Sequence, residues 1–155
     1  MTSILITVLN WNSPSDTEEC IKSLLKQSYK DFKILVVDNG SADDSVKRLE
    51  ELADKHEGKI ILIKNPENLG FAGGVNVGIK YAIDNGFDSV VLFNNDAVAD
   101  KNWLTELVKT ADTDEKSGIV TSLLLSADGN LIDSTGEQYS KWGLPFPRSR
   151  GHKRT

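Results

Sequence analysis

Cysteine is nearly absent. The single one, Cys20, can form no internal disulfide and cannot build a cysteine-ligated zinc cluster. Long apolar runs are missing as well: nothing approaches the ~18 consecutive apolar residues of a membrane-spanning helix. The first residues lack the basic start, extended apolar core and small-residue cleavage site of a signal peptide. These absences predict a reducing, cytoplasmic setting and leave room for peripheral association with the inner face of a membrane. The formal charge is only −5, so there is no basic footprint for nucleic acid and no acidic interaction tail. Glycine is absent from the turn after the first predicted strand, where a dinucleotide-binding G-x-G-x-x-G would sit. Gly73 and Gly78 have the spacing of a P-loop, but Ile79-Lys80 follows where Lys and Ser/Thr are required. No G-x-S-x-G, H-E-x-x-H or C-x-x-C occurs. His56 and His152 have no partner in sequence.

What is present is an alternation of strand-like and helix-like stretches. At 155 residues the chain has about the length of one domain and can bury a core without staples. Ile4 to Leu9, Ile34 to Val37, Ile60 to Ile63, Val90 to Phe93 and Ile119 to Leu125 read as strands. Between them lie helical patterns. Ser15-Asp16-Thr17-Glu18 has capping-box spacing before a stripe of Cys20, Ile21, Leu24 and Leu25. Ser41 to Asp44 caps a second helix with Val46, Leu49 and Ala53 on its inner face. A third starts near Gly73, carries Val75, Ile79, Ala82 and Ile83, and ends at Asn85-Gly86. A fourth carries Trp103, Leu104, Leu107, Val108 and Ala111. Strand starts about 30 residues apart match βαβ units. Nearly unbroken apolar strands predict a sheet covered on both faces. The expected fold is therefore α/β, a three-layer α/β/α sandwich with a mostly parallel sheet. After about Gly136 the periodicity fades. Residues 137–155, with Arg148, Arg150, Lys153 and Arg154, read as a basic loop or linker.

Val90-Val91-Leu92-Phe93 runs directly into Asn94-Asn95-Asp96, which predicts a central strand, buried on both faces, with a polar carboxyl end. Asn10-Trp11-Asn12 and Asp38-Asn39-Gly40-Ser41 end two other strands, and Asn68 to Gly74 follows the third. Parallel strands bring these four clusters to one sheet edge, where α/β proteins bind ligands. Asn39-Gly40-Ser41 also fits a glycosylation sequon, but without a secretory signal it reads as a strand-end turn. Cys20 reads as core, since a free thiol packs as a small hydrophobe.

The motifs Val8-Leu9-Asn10-Trp11-Asn12, Val36-Val37-Asp38-Asn39-Gly40-Ser41, Asn65-x-x-Asn68-Leu69-Gly70-Phe71-Ala72-Gly73-Gly74-x-Asn76-x-Gly78-Ile79 and Leu92-Phe93-Asn94-Asn95-Asp96 occur in the order found in family 2 glycosyltransferases. The chain resembles that family over about Ile4 to Gly136, most of all its rhamnosyltransferase-like branch. The resemblance implies the GT-A fold, truncated here, with residues 1–136 as a nucleotide-sugar-binding donor half and 137–155 leading toward a missing acceptor half. It implies inverting transfer of a sugar from a UDP- or dTDP-sugar to a polysaccharide or lipid-linked acceptor, assisted by Mg²⁺ or Mn²⁺.

By the same resemblance, Asp96 is the metal ligand, at the last position of the family's DxD motif. Asn94 and Asn95 stand at the first two positions, where Asp is common at the first, and can bond ribose hydroxyls without adding charge. Asp38 matches the residue that accepts a hydrogen bond from the base. Leu9, Asn10, Trp11, Asn68, Gly70, Phe71, Ala72, Gly73 and Asn76 complete the donor site. Trp11 either flanks the base or plugs the core. The family's general base lies beyond Thr155, and Asp128, Asp133 and Glu137 do not match its motif. The alternative reading is a nucleotide-binding module without catalysis. A receiver-like domain phosphorylated on Asp38 is a distant third, since it has no use for the Gly-rich loop.

Overall fold

The structure, a computed structural model, describes residues 2–153. Arg154, counted above with the basic tail, lies outside them. The chain forms two compact units, the first ending at Thr105 and the second beginning at Glu106.

The first unit is built on β1 (Ile4–Asn10), β2 (Phe32–Asp38), β3 (Ile60–Lys64) and β4 (Ser89–Asn94). All neighbours run parallel, in the order β3-β2-β1-β4. The connections are α1 (Pro14–Leu24), α2 (Ser45–Lys55) and α3 (Gly70–Asp84), and α4 (Trp103–Ala111) begins after β4. The two middle strands are apolar on both faces because both faces are covered. Leu5, Thr7 and Leu9 alternate toward α3, where Leu5 packs with Ala82. Asn10, one residue on, points the other way and meets Thr17 of α1. Helices therefore cover opposite faces of a parallel sheet, the expected three-layer arrangement.

Glycine decides how closely α3 approaches. A Cβ on Gly74 would strike the side chain of Leu9, and one on Gly78 would strike Thr7. The helix lies directly on β1, and larger residues at either position would push it off. Its buried face is accordingly Gly74, Gly78 and Ala82. Ile83, expected inside, is 72% exposed. The helix also starts at Gly70 rather than near Gly73, because Gly70 takes φ +72 and turns the chain into it.

Three further expectations are corrected. First, β4 is not central: it is an edge strand of this sheet, paired only with β1 among the described residues, and Leu92 is half exposed. Its apolar run reports a strand, but a run of this kind does not say what lies beside it. Second, α1 begins at Pro14 with Ser13 as its cap residue, not at Ser15. Proline suits the first helical turn, where its missing N–H costs nothing. Ser41 likewise does not cap α2. Its hydroxyl is bound to Asp38, and Asp43 accepts from the Ser45 N–H. Third, Ile119 to Leu125 is not one strand. Only Leu124–Leu125 (β5) pairs, antiparallel to β6 (Ile132–Ser134), and Ile119 is 94% exposed. A strand sequence without a ladder partner has nothing to hold it extended.

In the second unit, the segment read as a loop forms a short hairpin. β7 (Glu137–Tyr139) pairs antiparallel with β8 (Pro145–Pro147). Cys20 is buried as expected, with Ile21 and Leu24 beside it on α1.

Candidate functional site

The register of the sheet sets the site. Asn10 of β1 stands beside Asp38 of β2, and Leu9 stands beside Asn94 of β4. The carboxyl ends of three strands thus finish level, and side chains from four segments meet there. They border a cleft of ≈ 510 Å³ within the first unit.

Asn10 and Asp38 stand side by side at the strand ends, both essentially without solvent exposure and outside the lining itself. Asn10 Nδ2 donates to Asp38 Oδ1 at 2.8 Å and to Ser41 Oγ at 3.2 Å. Ser41 gives its hydroxyl to Asp38 Oδ1 at 2.6 Å and its N–H to Asp38 Oδ2 at 3.0 Å. Ser41 Oγ accepts from the Asn12 N–H, and Asn12 Oδ1 accepts from the Ala42 N–H. The Asp38 carboxylate is thus fixed in a fan of donors, with Oδ2 carrying a single bond.

The turn after β2 also holds the loop before α3. Gly40 has φ +72, and a Cβ there would come within 2.5 Å of the Glu67 carbonyl carbon and 2.8 Å of the Asn68 nitrogen. Only glycine lets the two loops press together. Asn39 bonds Asn68, Gly70, Asn65 and Leu69 from beneath.

On the β4 side, Asn94, Asn95 and Asp96 line the cleft together with Asp16 and Ser13 of the α1 start. Ser13 Oγ donates to Asp16 Oδ2 at 2.6 Å. Asn95 Nδ2 donates to Thr17 Oγ1, behind the lining. Cys20 Sγ lies 3.6 Å from the Asn94 carbonyl oxygen. Burial first, and the Asp96 charge second, push its thiol up to about 12. It is a neutral packing group at physiological pH and not a nucleophile.

Of the residues predicted from sequence, Leu9, Trp11, Asn68, Gly70, Phe71, Asn94, Asn95 and Asp96 line the cleft. Asn10 and Asp38, also predicted, are buried and do not line it. Ala72, Gly73 and Asn76 lie on α3 and are not part of the lining. Trp11 is 55% exposed and plugs nothing. Sequence reasoning included Asn39 in the cluster that ends β2 without giving it a role, and it missed Ser13, Asp16 and Thr17. The Ser13-x-x-Asp16 spacing was a signal for the first two.

Among the described residues no group of three or more His, Cys, Asp or Glu side chains is placed so that it could hold a metal ion by itself. A cation at Asp96, with Asp16 on the same cleft, would have to complete its shell with ligand oxygens and water. That donor set fits Mg²⁺ or Mn²⁺, which bind through one or two carboxylates plus substrate phosphates.

The sequence that builds this sheet and cleft is matched by a family model. The model for "Glycosyl transferase family 2" covers residues 3–155. The chain belongs to this family. An uncharacterised glycosyltransferase of Haemophilus influenzae is 24% identical over 92% of this chain and 44% of its own length. The undecaprenyl-phosphate 4-deoxy-4-formamido-L-arabinose transferase of Proteus mirabilis is 32% identical over 71% of this chain and 33% of its own. Among solved structures, a mannosyltransferase of Pyrobaculum calidifontis in complex with GDP-Man and Mn²⁺ superposes with TM-score 0.64. It is 21% identical, over 79% of this chain and 35% of its own. That similarity shows the GT-A fold of family 2 transferases. The chain spans less than half the length of these relatives.

Proposed function

We propose that this chain is the donor-binding part of an inverting family 2 glycosyltransferase. The donor is a nucleotide-diphosphate sugar, UDP- or dTDP-linked, and the acceptor a polysaccharide or a lipid-linked saccharide. The observation that carries this reading is the convergence of four polar segments on one cleft, cross-linked by Asn10, Asp38, Asn39 and Thr17. Cross-linking of this kind pre-organises a site before the ligand arrives.

In this reading Asp38 and Trp11 serve the base end. Asn68, Gly70 and Phe71 border the donor, Asn94 and Asn95 offer carboxamides to ribose hydroxyls, and Asp96 faces the diphosphate with its cation. Ala72, Gly73 and Asn76 act through the α3 backbone that carries Phe71. A bound Mg²⁺ or Mn²⁺ supplies positive charge against the departing pyrophosphate. This chain is acidic and places two carboxylates on the cleft, so that charge must come from outside it. Support for the donor class comes from the GDP-Man and Mn²⁺ of the Pyrobaculum structure, and for a lipid-linked acceptor from the name of the Proteus relative. Residues 1–136 form the donor half in this reading, and 137–155 lead toward an acceptor half. Among the described residues no helix is long and apolar enough to cross a membrane.

The test is a thermal-shift panel of UDP-, dTDP- and GDP-sugars with and without Mn²⁺. A ligand that binds only the native state raises stability as RT ln(1 + [L]/Kd). At least one donor should raise the melting temperature, more so with Mn²⁺. No shift with any of the three sinks the reading.

A further inference from the structure

Thr17 touches no part of the cleft surface, yet it joins the cleft's two ends. It is fully buried in the first turns of α1. Its Oγ1 lies 3.0 Å from Asn95 Nδ2, 2.8 Å from Asn10 Oδ1 and 3.0 Å from the Ser13 carbonyl oxygen. A hydroxyl has one proton. It accepts from the Asn95 amide and donates to Asn10, with Ser13 as a competing acceptor. Asn10 in turn donates to Asp38 Oδ1 at 2.8 Å. One chain of hydrogen bonds therefore runs from the end of β4, through α1 and the end of β1, to the end of β2.

The β4 end needs such a tie. β4 pairs only with β1 among the described residues, so the Asn94–Asp96 turn has a neighbour strand on one side only. Packing does not require the hydroxyl, since Cys20, Ile21 and Leu24 already seat α1 on the sheet, and a Val side chain has the same shape. What Thr adds is a donor and an acceptor at one point, both used.

We infer that Thr17 is a positioning residue for the donor site. Its hydroxyl fixes the Asn94–Asp96 turn at a set distance from Asp38, so that the diphosphate end and the base end of one nucleotide are met together. This rests on the function proposed above. The energetic logic is that of a buried polar network. Fully satisfied, it specifies one arrangement; cut in the middle, it leaves both halves free to shift and a buried acceptor unpaired.

The experiment is calorimetric titration of the wild-type chain with UDP, dTDP and GDP in the presence of Mn²⁺, the tightest of the three then being used throughout. Thr17→Val should bind about tenfold more weakly, the equivalent of one lost buried hydrogen bond. Thr17→Ser, which keeps the hydroxyl, should stay within about threefold of wild type. In an Asp96→Ala background Thr17→Val should lose much less than in the wild type, because residues acting in one network are not additive. Wild-type affinity in Thr17→Val overturns the inference, as does a Thr17→Ser as weak as the Val variant. An undiminished loss in the Asp96→Ala background also overturns it, for Thr17 would then act elsewhere. Should Thr17→Val fail to fold, Thr17→Ala removes the same hydroxyl without adding an unmatched methyl group to the buried site. Unaltered affinity and unaltered response to Mn²⁺ in that variant would count against the inference equally. A wild-type chain that binds none of the three nucleotides removes the proposed function, and the inference with it. Binding by the wild type with no effect of Thr17→Val removes the inference alone.

Discussion

Asn39 Nδ2 donates to Asn68 Oδ1 at 2.8 Å, and that bond fastens the end of β2 to the loop that opens α3. The same amide group reaches the Gly70 carbonyl oxygen at 3.2 Å, while Asn39 Oδ1 accepts from Asn65 Nδ2 at 3.0 Å and the Leu69 N–H at 3.1 Å. Every hydrogen-bonding position of a carboxamide is filled. Asn39→Ala should therefore destabilise the chain by ~1–3 kcal/mol, the cost of leaving buried partners unsatisfied. Asn39→Asp should cost at least as much, because it turns two donors into acceptors that face other acceptors. Urea denaturation measures both. An Asp variant as stable as wild type would show that Asn39 does not hold the loop.

Asp38 stands one residue earlier, buried at the end of β2 and bonded to Asn10, and is assigned to the nucleotide base in the function proposed above. Asp38→Ala should weaken nucleotide binding by roughly tenfold whether or not Mn²⁺ is present, through loss of about one hydrogen bond. Its position two strands from Asp96 in the sheet is why metal should not matter. Titration of a folded mutant with unchanged affinity, or with a loss seen only in the presence of Mn²⁺, would contradict the role.

The first four strands, their parallel direction and the meeting of polar strand ends could be read from the sequence, because apolar runs that stop at polar residues are typical of strands in a parallel sheet with covered faces. Neighbours could not. The Val90–Phe93 run looks the same in the middle of a sheet as at its edge. Ile119 to Leu125 looks like a strand whether or not a ladder partner exists. The Gly-rich segment from Gly70 read as a loop approaching a ligand, but Gly74 and Gly78 serve helix packing against Leu9 and Thr7. Within the site, Trp11, Phe71 and Asp96 were legible as exposed polar or aromatic residues at strand and loop ends. Thr17 and Asn39 were not, since a buried linking residue and an ordinary turn or cap residue are the same letters. Only three-dimensional partners separate them.

Cys20 gives a pH test of the packing behind the site. Burial, and then the Asp96 charge, raise its thiol from an ordinary 9.0 to about 12. The folded chain therefore holds this proton more tightly than the unfolded chain. That contribution to stability is complete below pH 9 and is lost progressively as pH rises from 9 toward 12. Cys20→Val should lose part of this alkaline decline relative to wild type, read as the difference between two denaturation series. At neutral pH the wild-type thiol should react with a disulfide reagent only on unfolding. Rapid labelling of the native chain would show that the α1–β4 contact opens.

Asp96 is the one carboxylate in its triplet, flanked by Asn94 and Asn95. Asp96→Ala should leave the fold intact and remove the dependence of donor binding on Mn²⁺, since a neutral carboxamide is a poor substitute for a charged ligand to a hard cation. Asp16 lines the same cleft and is the control: Asp16→Ala should reduce the Mn²⁺ response less. The measurement is donor affinity across a Mn²⁺ titration for each variant. Strengthening of binding by Mn²⁺ in Asp96→Ala equal to that in wild type would move the metal away from Asp96.

Donor binding and sugar transfer should separate in this chain. Transfer by inversion needs a base to take the acceptor's proton, and a positioned base typically contributes 10²–10⁴-fold. The late carboxylates are poorly suited. Hydrogen bonds from Ser126 first, and then from Asn130, hold Asp128 down at about 2, too weak a base to draw a proton from a hydroxyl at neutral pH. Asp133 is paired with Arg150 at 2.9 Å. Glu137 is exposed on β7. The chain should therefore bind a nucleotide sugar and transfer it at least ~10²-fold more slowly than a full-length relative given the same donor and acceptor extract. Loss of acceptor positioning should deepen that deficit. Where any turnover appears, hydrolysis should exceed transfer, because the open cleft admits water to the donor. Product formation by this chain and by such a relative is the comparison to make. Comparable rates would place the base within these residues, with Glu137→Gln and Asp133→Asn the variants to make next, and would rule out a donor-binding part that depends on a further segment for its chemistry.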